Sequence, residues 1–212
     1  AYSPEETDAL ATVLADTDVI TLSDEMYDRL LFGGQEFKSF AATSTHAYDH
    51  TLTFNAGSKT FSMTGWRIGY AAGPVDLIKG MSKLQTQTTS GAATFTMHAM
   101  AAALNGDQTC VDEMRDAFEG RGRFVSEALN RLEGVVCPAP GGAFYVFPDV
   151  SDTFASLGVS GSTAWAGRLL EEAHVGVVPG SDFGNDDCVR LSFATSMDTL
   201  EEAMRRIEAF LD

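Results

Sequence analysis

The sequence predicts an α/β fold in its first half and an α+β arrangement in its second, on three observations. Short β-branched runs alternate with longer stretches of helical spacing along the whole chain. Hydrophobic residues make up 44% of the 212 and charged residues 21%, a globular balance long enough to bury a core as one large domain or two small ones. No internal repeat or low-complexity tract interrupts the alternation.

Ser3, Pro4 and Glu6 mark a helix start. Ser3 is the N-cap, Pro4 the first helical position and Glu6 the closing member of a capping box, and Leu10, Val13 and Leu14 give the stripe that follows. Residues 19–22 read as a buried parallel strand, continuous and β-branched, that leads to Asp24. Ligands collect at the carboxyl ends of strands in open α/β sheets, which makes Asp24 a candidate; taken alone, it could equally cap the next turn. Residues 33–50 are polar and weakly periodic and read as a loop, in which His46, Asp49 and His50 are solvated rather than metal ligands. Residues 51–55 form a second strand, residues 68–72 a third ended by Gly73-Pro74, and helices follow over 75–84 and 92–104. Met97, His98 and Met100 on the latter read as packing, since methionine fills irregular gaps.

Residues 107–133 have the period of one long helix, weakened in its middle by Gly120 and Gly122. The turn before it, Asn105-Gly106, stops the preceding helix. Residues 135–137 and 143–147 flank a Pro-Ala-Pro-Gly-Gly turn as a hairpin or two sheet strands. A helix over 162–173, a strand over 175–178, a loop over 179–184 and a strand over 189–193 come next. Asp182, Asp186 and Asp187 lack the register of a calcium loop and read as solvated. Ser196 or Asp198 caps a closing helix with Leu200, Met204, Ile207 and Leu211 on one face.

The net charge of −16, with lysine only at 38, 59, 79 and 83, is the wrong sign for a nucleic-acid surface. It fits a chain kept dispersed in concentrated salt, where screening shortens the range of self-repulsion, so a halophilic source is expected. Cys110, Cys137 and Cys188 are odd in number and outside any metal spacing, which predicts reduced thiols in a cytoplasm. No run approaches the roughly 18 apolar residues of a membrane span.

The chemistry gathers around Asn-Ala-Gly-Ser-Lys-Thr-Phe-Ser-Met-Thr-Gly-Trp-Arg-Ile-Gly-Tyr at 55–70. Lys59 lies between small residues that let a backbone bend closely around a ligand, and Arg67 follows between two glycines. An amine that can form a Schiff base with an aldehyde thus stands near a guanidinium that can take a phosphate in a fork. Two further islands accompany it: Ser-Asp-Glu-Met-Tyr at 23–27, and an apolar run at 189–194 with Arg190 inside it.

These islands, with Gly-Ala-Phe-Tyr at 142–145, occur in an order and at separations that resemble the class I/II, fold-type I aminotransferases dependent on pyridoxal 5'-phosphate, and aspartate aminotransferases in particular. The resemblance covers essentially the whole chain but only the second half or so of such an enzyme. It implies part of the large-domain sheet over 1–106 followed by an α+β small domain over 107–212, and a chain that opens on a helix cap just after the family's Asn-Pro-Thr-Gly turn, hence a fragment. It further implies that Lys59 holds the cofactor covalently and later carries a proton, that Asp24 pairs with the pyridine nitrogen, that Tyr27 hydrogen-bonds the ring oxygen, that Arg67 grips the phosphate, and that Arg190 takes the substrate α-carboxylate. The implied reaction moves an amino group between an amino acid, perhaps aspartate, and a 2-oxo acid such as 2-oxoglutarate, in a homodimer.

One position departs from the family pattern: Ala56, three before the lysine, offers no hydroxyl to a phosphate. The first-half elements that seat the phosphate and stack on the ring have no match, so residues 1–212 alone are expected to bind the cofactor poorly. A lyase or synthase using the same cofactor, and a non-catalytic aminotransferase-like regulatory domain, remain alternatives.

Overall fold

A computed structural model describes residues 1–212. It divides into two compact units, Ala1–Arg115 and Asp116–Asp212, and the division falls inside the long helix Thr109–Leu129.

In the first unit, α1 (Pro4–Leu14) begins with the expected capping box: Ser3 Oγ accepts from Glu6 N at 3.2 Å and Glu6 Oε2 from Ser3 N at 2.8 Å. Its buried face is Thr7 and Ala11, one turn apart, whereas Leu10 and Val13 of the expected stripe are exposed. The sheet runs in the order β1 (Thr21–Asp24), β2 (Thr51–Ala56), β3 (Gly69–Ala72), parallel between the first pair and antiparallel between the second. The expected strand at 19–22 is found shifted toward Asp24. Within this chain β1 pairs with β2 alone and alternates between half-buried and exposed residues, with Leu22 67% exposed.

Residues 33–50 are more ordered than a loop, with a 3₁₀ turn at Phe40–Ala42 and a short helix α2 (Thr45–Asp49) capped by Ser44 Oγ, which accepts from Ala47 N at 3.0 Å. On α2 the His46 ring stacks on that of His50 at 4.1 Å. After β2 come one helical turn, α3 (Gly57–Thr60), and two helices, α4 (Val75–Thr88) and α5 (Thr94–Asn105). Met63, Ile68 and Met100 form a core cluster under that turn, flanked by Phe61, Ala92, Ala99 and Ala103. Of the three α5 residues expected to pack, only Met100 does so; Met97 and His98 lie on the exposed face.

The second unit begins within α6 (Thr109–Leu129). A Cβ on Gly122 would come within 2.9 Å of Pro140 Cγ and 3.0 Å of the Phe193 ring, so a glycine that weakens the helix admits a close contact. The small antiparallel sheet has the order β4 (Tyr145–Val146), β6 (Val189–Ser192), β5 (Val178–Pro179), and single bridges join Asp149 to Val136 and Cys188. Helical turns at Ser151–Thr153 and α7 (Phe154–Leu157) were not visible in the periodicity. Next, α8 (Ser162–Arg168) runs on as a π turn, Leu169–Ala173. Asp186 is exposed, as expected, and also acts as a cap: Oδ1 accepts from Ser162 N at 2.9 Å and Ser162 Oγ at 2.7 Å, which holds its carboxyl below the usual range. The closing helix α9 (Met197–Leu211) is capped by Ser196 and buries Leu200, Met204 and Ile207. No helix is long and apolar enough to cross a membrane.

Candidate active site

Strand β2 ends where α3 begins, so Lys59 sits one turn beyond the end of a sheet strand. Ala56 is extended at φ −155°, and the chain then coils so tightly that Met63 N and Phe61 N both donate to Gly57 O at 3.1 Å. Gly57 is buried against the methionine cluster: a Cβ there would lie 2.9 Å from Met100 Sδ. The turn is thus seated on packed apolar groups, and the half-buried Lys59 is delivered from a fixed backbone. Its Nζ stands 6.0 Å from the centre of the Tyr27 ring.

Tyr27 arrives there because β1 pairs in parallel with β2, placing Asp24 beside Phe54 at the strand ends. Glu25 N donates to Phe54 O at 2.9 Å, and the chain then turns through Asp28 N to Glu25 O at 3.1 Å and Leu30 N to Tyr27 O at 2.9 Å. The buried Glu25 fixes this turn. Its Oε1 accepts from Ser39 Oγ at 2.8 Å, Ser23 Oγ at 3.0 Å and Phe40 N at 3.1 Å. Sequence reasoning assigned no role to that residue. Asp24 itself is exposed, and its Oδ1 accepts from Met26 N at 3.2 Å. The carboxylate keeps lone pairs for a further donor.

Arg67 follows the 3₁₀ turn Thr64–Trp66 in a left-handed conformation, φ 52° and ψ 48°, uncommon for a residue with a long side chain. The buried Ile68 beyond it anchors the chain, and the Arg67 guanidinium donates from Nη1 to Thr64 O at 2.8 Å while its other donors face solvent. β3 returns antiparallel, pairing Gly69 with Ala56 and Tyr70 with Asn55. A Cβ on Gly69 would lie 3.0 Å from Asn55 O and 3.2 Å from Ala56 Cβ, so a glycine lets β3 close on the strand that carries the lysine turn. Burial, then the carboxylates of Asp28 and Glu25, hold the Tyr70 phenol above its usual range.

The first unit therefore brings Lys59 and Tyr27 together, with Asp24 on the adjoining strand end and Arg67 on the turn leading into β3. Arg190 belongs to the second unit, on the central strand β6. Val189 and Leu191 are buried on one face, and alternation places the half-buried Arg190 on the other. There it lies against two rings, 4.7 Å from the centre of Tyr145 and 4.5 Å from that of Phe183. Nothing in the sequence marked Phe183, whose only local signal is an aromatic residue in a polar loop.

The family described as aminotransferase class I and II matches residues 1–207. The chain is 44% identical over 211 residues to an aspartate aminotransferase of Geobacillus stearothermophilus and 42% identical over 211 residues to one of Bacillus subtilis. Both matches take in 100% of this chain and 54% of the relative, so the chain spans about half the length of the curated relatives it matches. An aspartate/prephenate aminotransferase of Nitrosomonas europaea is 41% identical over 217 residues, with 99% of this chain and 55% of the relative covered. Among solved structures, the aspartate aminotransferase of Rhizobium meliloti superposes with a TM-score of 0.95 at 39% identity, over 100% of this chain and 55% of that one.

Proposed function

The chain belongs to the class I and II aminotransferase family, and from that premise we propose that the protein carrying it moves an amino group between an amino acid and a 2-oxo acid, using pyridoxal 5'-phosphate held at Lys59. The observation that supports this most is the Lys59 turn: an amine on a backbone seated against buried methionines, over the Tyr27 ring and beside the strand end that bears Asp24. Aspartate is the proposed donor and 2-oxoglutarate the proposed acceptor; relatives named aspartate aminotransferase support the donor.

The donor set fits the cofactor. An aldehyde needs an amine, a pyridine nitrogen needs a carboxylate with a spare lone pair, and a phosphate needs a guanidinium with spare donors; Lys59, Asp24 and Arg67 supply these in turn. Bound there, pyridoxal 5'-phosphate supplies an electron-accepting ring that stabilises negative charge at the substrate α-carbon. Lys59 Nζ would hold the group through its aldehyde, and as a free amine it would take the proton from the substrate α-carbon as general base. Asp24 keeps a proton on the ring nitrogen, Tyr27 donates to the ring oxygen, and Arg67 orients the phosphate. Arg190 takes the substrate α-carboxylate as a bidentate pair, which a lysine would do less well.

In this reading residues 1–106 are the C-terminal part of the cofactor-binding large domain and residues 107–212 the small domain. The protein is a cytoplasmic homodimer of a halophile; the net charge of −16, only four lysines and three free thiols support the setting, and the family resemblance supports the dimer. The test is a transamination assay on the purified protein with aspartate and 2-oxoglutarate, following oxaloacetate and glutamate together. Equimolar formation of both is expected, and release of ammonia in place of glutamate would replace transfer with elimination.

A further inference from the structure

We propose that Phe183 is a positioning residue for Arg190, closing with Tyr145 an aromatic clamp that presents the guanidinium edge to a carboxylate; this rests on the carboxylate role given to Arg190 above.

The clamp is built from both sides. On the sheet, Tyr145 of β4 pairs with Ser192 of β6, two residues from Arg190 on the same face, so Tyr145 is its diagonal neighbour. The Tyr145 ring is backed by Phe144 at 4.7 Å, and Phe144 by Phe118 at 5.4 Å. On the other side, Phe183 ends the 3₁₀ turn Gly180–Phe183 that follows β5. This loop is closed upon itself: Gly180 N donates to Cys188 O at 2.8 Å and Asn185 N to Gly180 O at 3.1 Å, while Gly184 turns the chain at φ 81°. It is also tied to α8, through Ser181 N to Ser162 Oγ at 3.1 Å. The Phe183 ring then meets Phe147 edge to face at 5.9 Å.

The guanidinium carbon thus lies over two rings, at 4.7 and 4.5 Å from their centres, within the range of cation–π attraction. Within its own unit the Arg190 guanidinium makes no hydrogen bond or ion pair, so its N–H donors stay available beside the two rings. A planar cation held over two rings is restricted in its rotamers before binding, so less freedom is lost when a carboxylate binds.

The test uses Phe183→Leu, Phe183→Tyr and Arg190→Ala in the whole protein, with steady-state kinetics for aspartate and 2-oxoglutarate and calorimetric binding of succinate as a carboxylate probe. Loss of one ring face is expected to raise both KM values and the succinate Kd about three- to tenfold, with kcat nearly unchanged. Phe183→Tyr should restore all three, and Arg190→Ala should weaken succinate further. If Arg190→Ala weakens succinate and Phe183→Leu does not, or if Phe183→Leu lowers melting temperature and kcat with KM unchanged, the positioning role is overturned. If Arg190→Ala leaves succinate binding intact, the carboxylate role of Arg190 falls first and the clamp with it.

Discussion

Lys59 Nζ lies 6.0 Å from the centre of the Tyr27 ring, although the two residues come from different strand ends and are brought together by the parallel pairing of β1 with β2. A general base held on a fixed turn contributes about 10²–10⁴-fold to proton transfer. Lys59→Ala is therefore expected to lower kcat by about that factor or more, with the far-ultraviolet spectrum unchanged. Tyr27→Phe should keep the fold and lower kcat less than Lys59→Ala, because it removes a hydroxyl and not the base. Stopped-flow measurement of substrate α-proton exchange separates the two.

Arg67 holds a left-handed backbone and donates to Thr64 O with one of its nitrogens. Removing a charge-assisted contact to a phosphate costs about 1.5–3 kcal/mol, so Arg67→Ala should weaken pyridoxal 5'-phosphate roughly ten- to a hundredfold. Arg67→Lys should recover part of this. Absorbance titration of the apoprotein reads both values; equal affinity in wild type and Arg67→Ala would remove Arg67 from the phosphate.

Gly69 sits where a Cβ would press on Asn55 O and Ala56 Cβ, just before the lysine turn. Gly69→Val must push β3 from β2, at about 1–3 kcal/mol. A lower urea midpoint is expected together with slower labelling of Lys59 by pyridoxal 5'-phosphate. An unchanged midpoint would show that the strands relax without penalty.

The buried Cys137 thiol is pushed up to about 11 by desolvation. Unfolded, the same thiol ionises near 9.0, so between about 9 and 11 the unfolded state releases a proton that the folded state keeps. The stabilisation is full below pH 9 and declines as pH rises toward 11. Urea midpoints at pH 8 and pH 10 should fall more for wild type than for Cys137→Ala; equal falls would place the alkaline loss elsewhere.

What was legible in the sequence was local. The capping box of Ser3 and Glu6 and the strand end at Asp24 involve neighbours within a few residues, and the structure has them. Burial was less legible. Val19, Ile20 and Leu22 read as a core strand, and within this chain, where β1 pairs with β2 alone, they are exposed. Met97, Met100 and His98 share a helix, but only Met100 faces Met63 and Ile68, which come from far away in the chain. At the candidate site, Lys59, Asp24, Tyr27, Arg67 and Arg190 were singled out through the motifs that carry the family resemblance. Their supports were not: Glu25 acts through Ser39 and Phe40, and Phe183 meets Arg190 across a loop and a strand. Such contacts are made by folding and leave no periodic trace.

The most direct test of the central claim is reduction of the protein with borohydride in the presence of pyridoxal 5'-phosphate, followed by peptide mapping. A Schiff base between Lys59 and the aldehyde predicts a single pyridoxyl group on the peptide containing Lys59, lost in Lys59→Ala. A label spread over Lys38, Lys79 and Lys83, or one that persists in Lys59→Ala, would contradict the account.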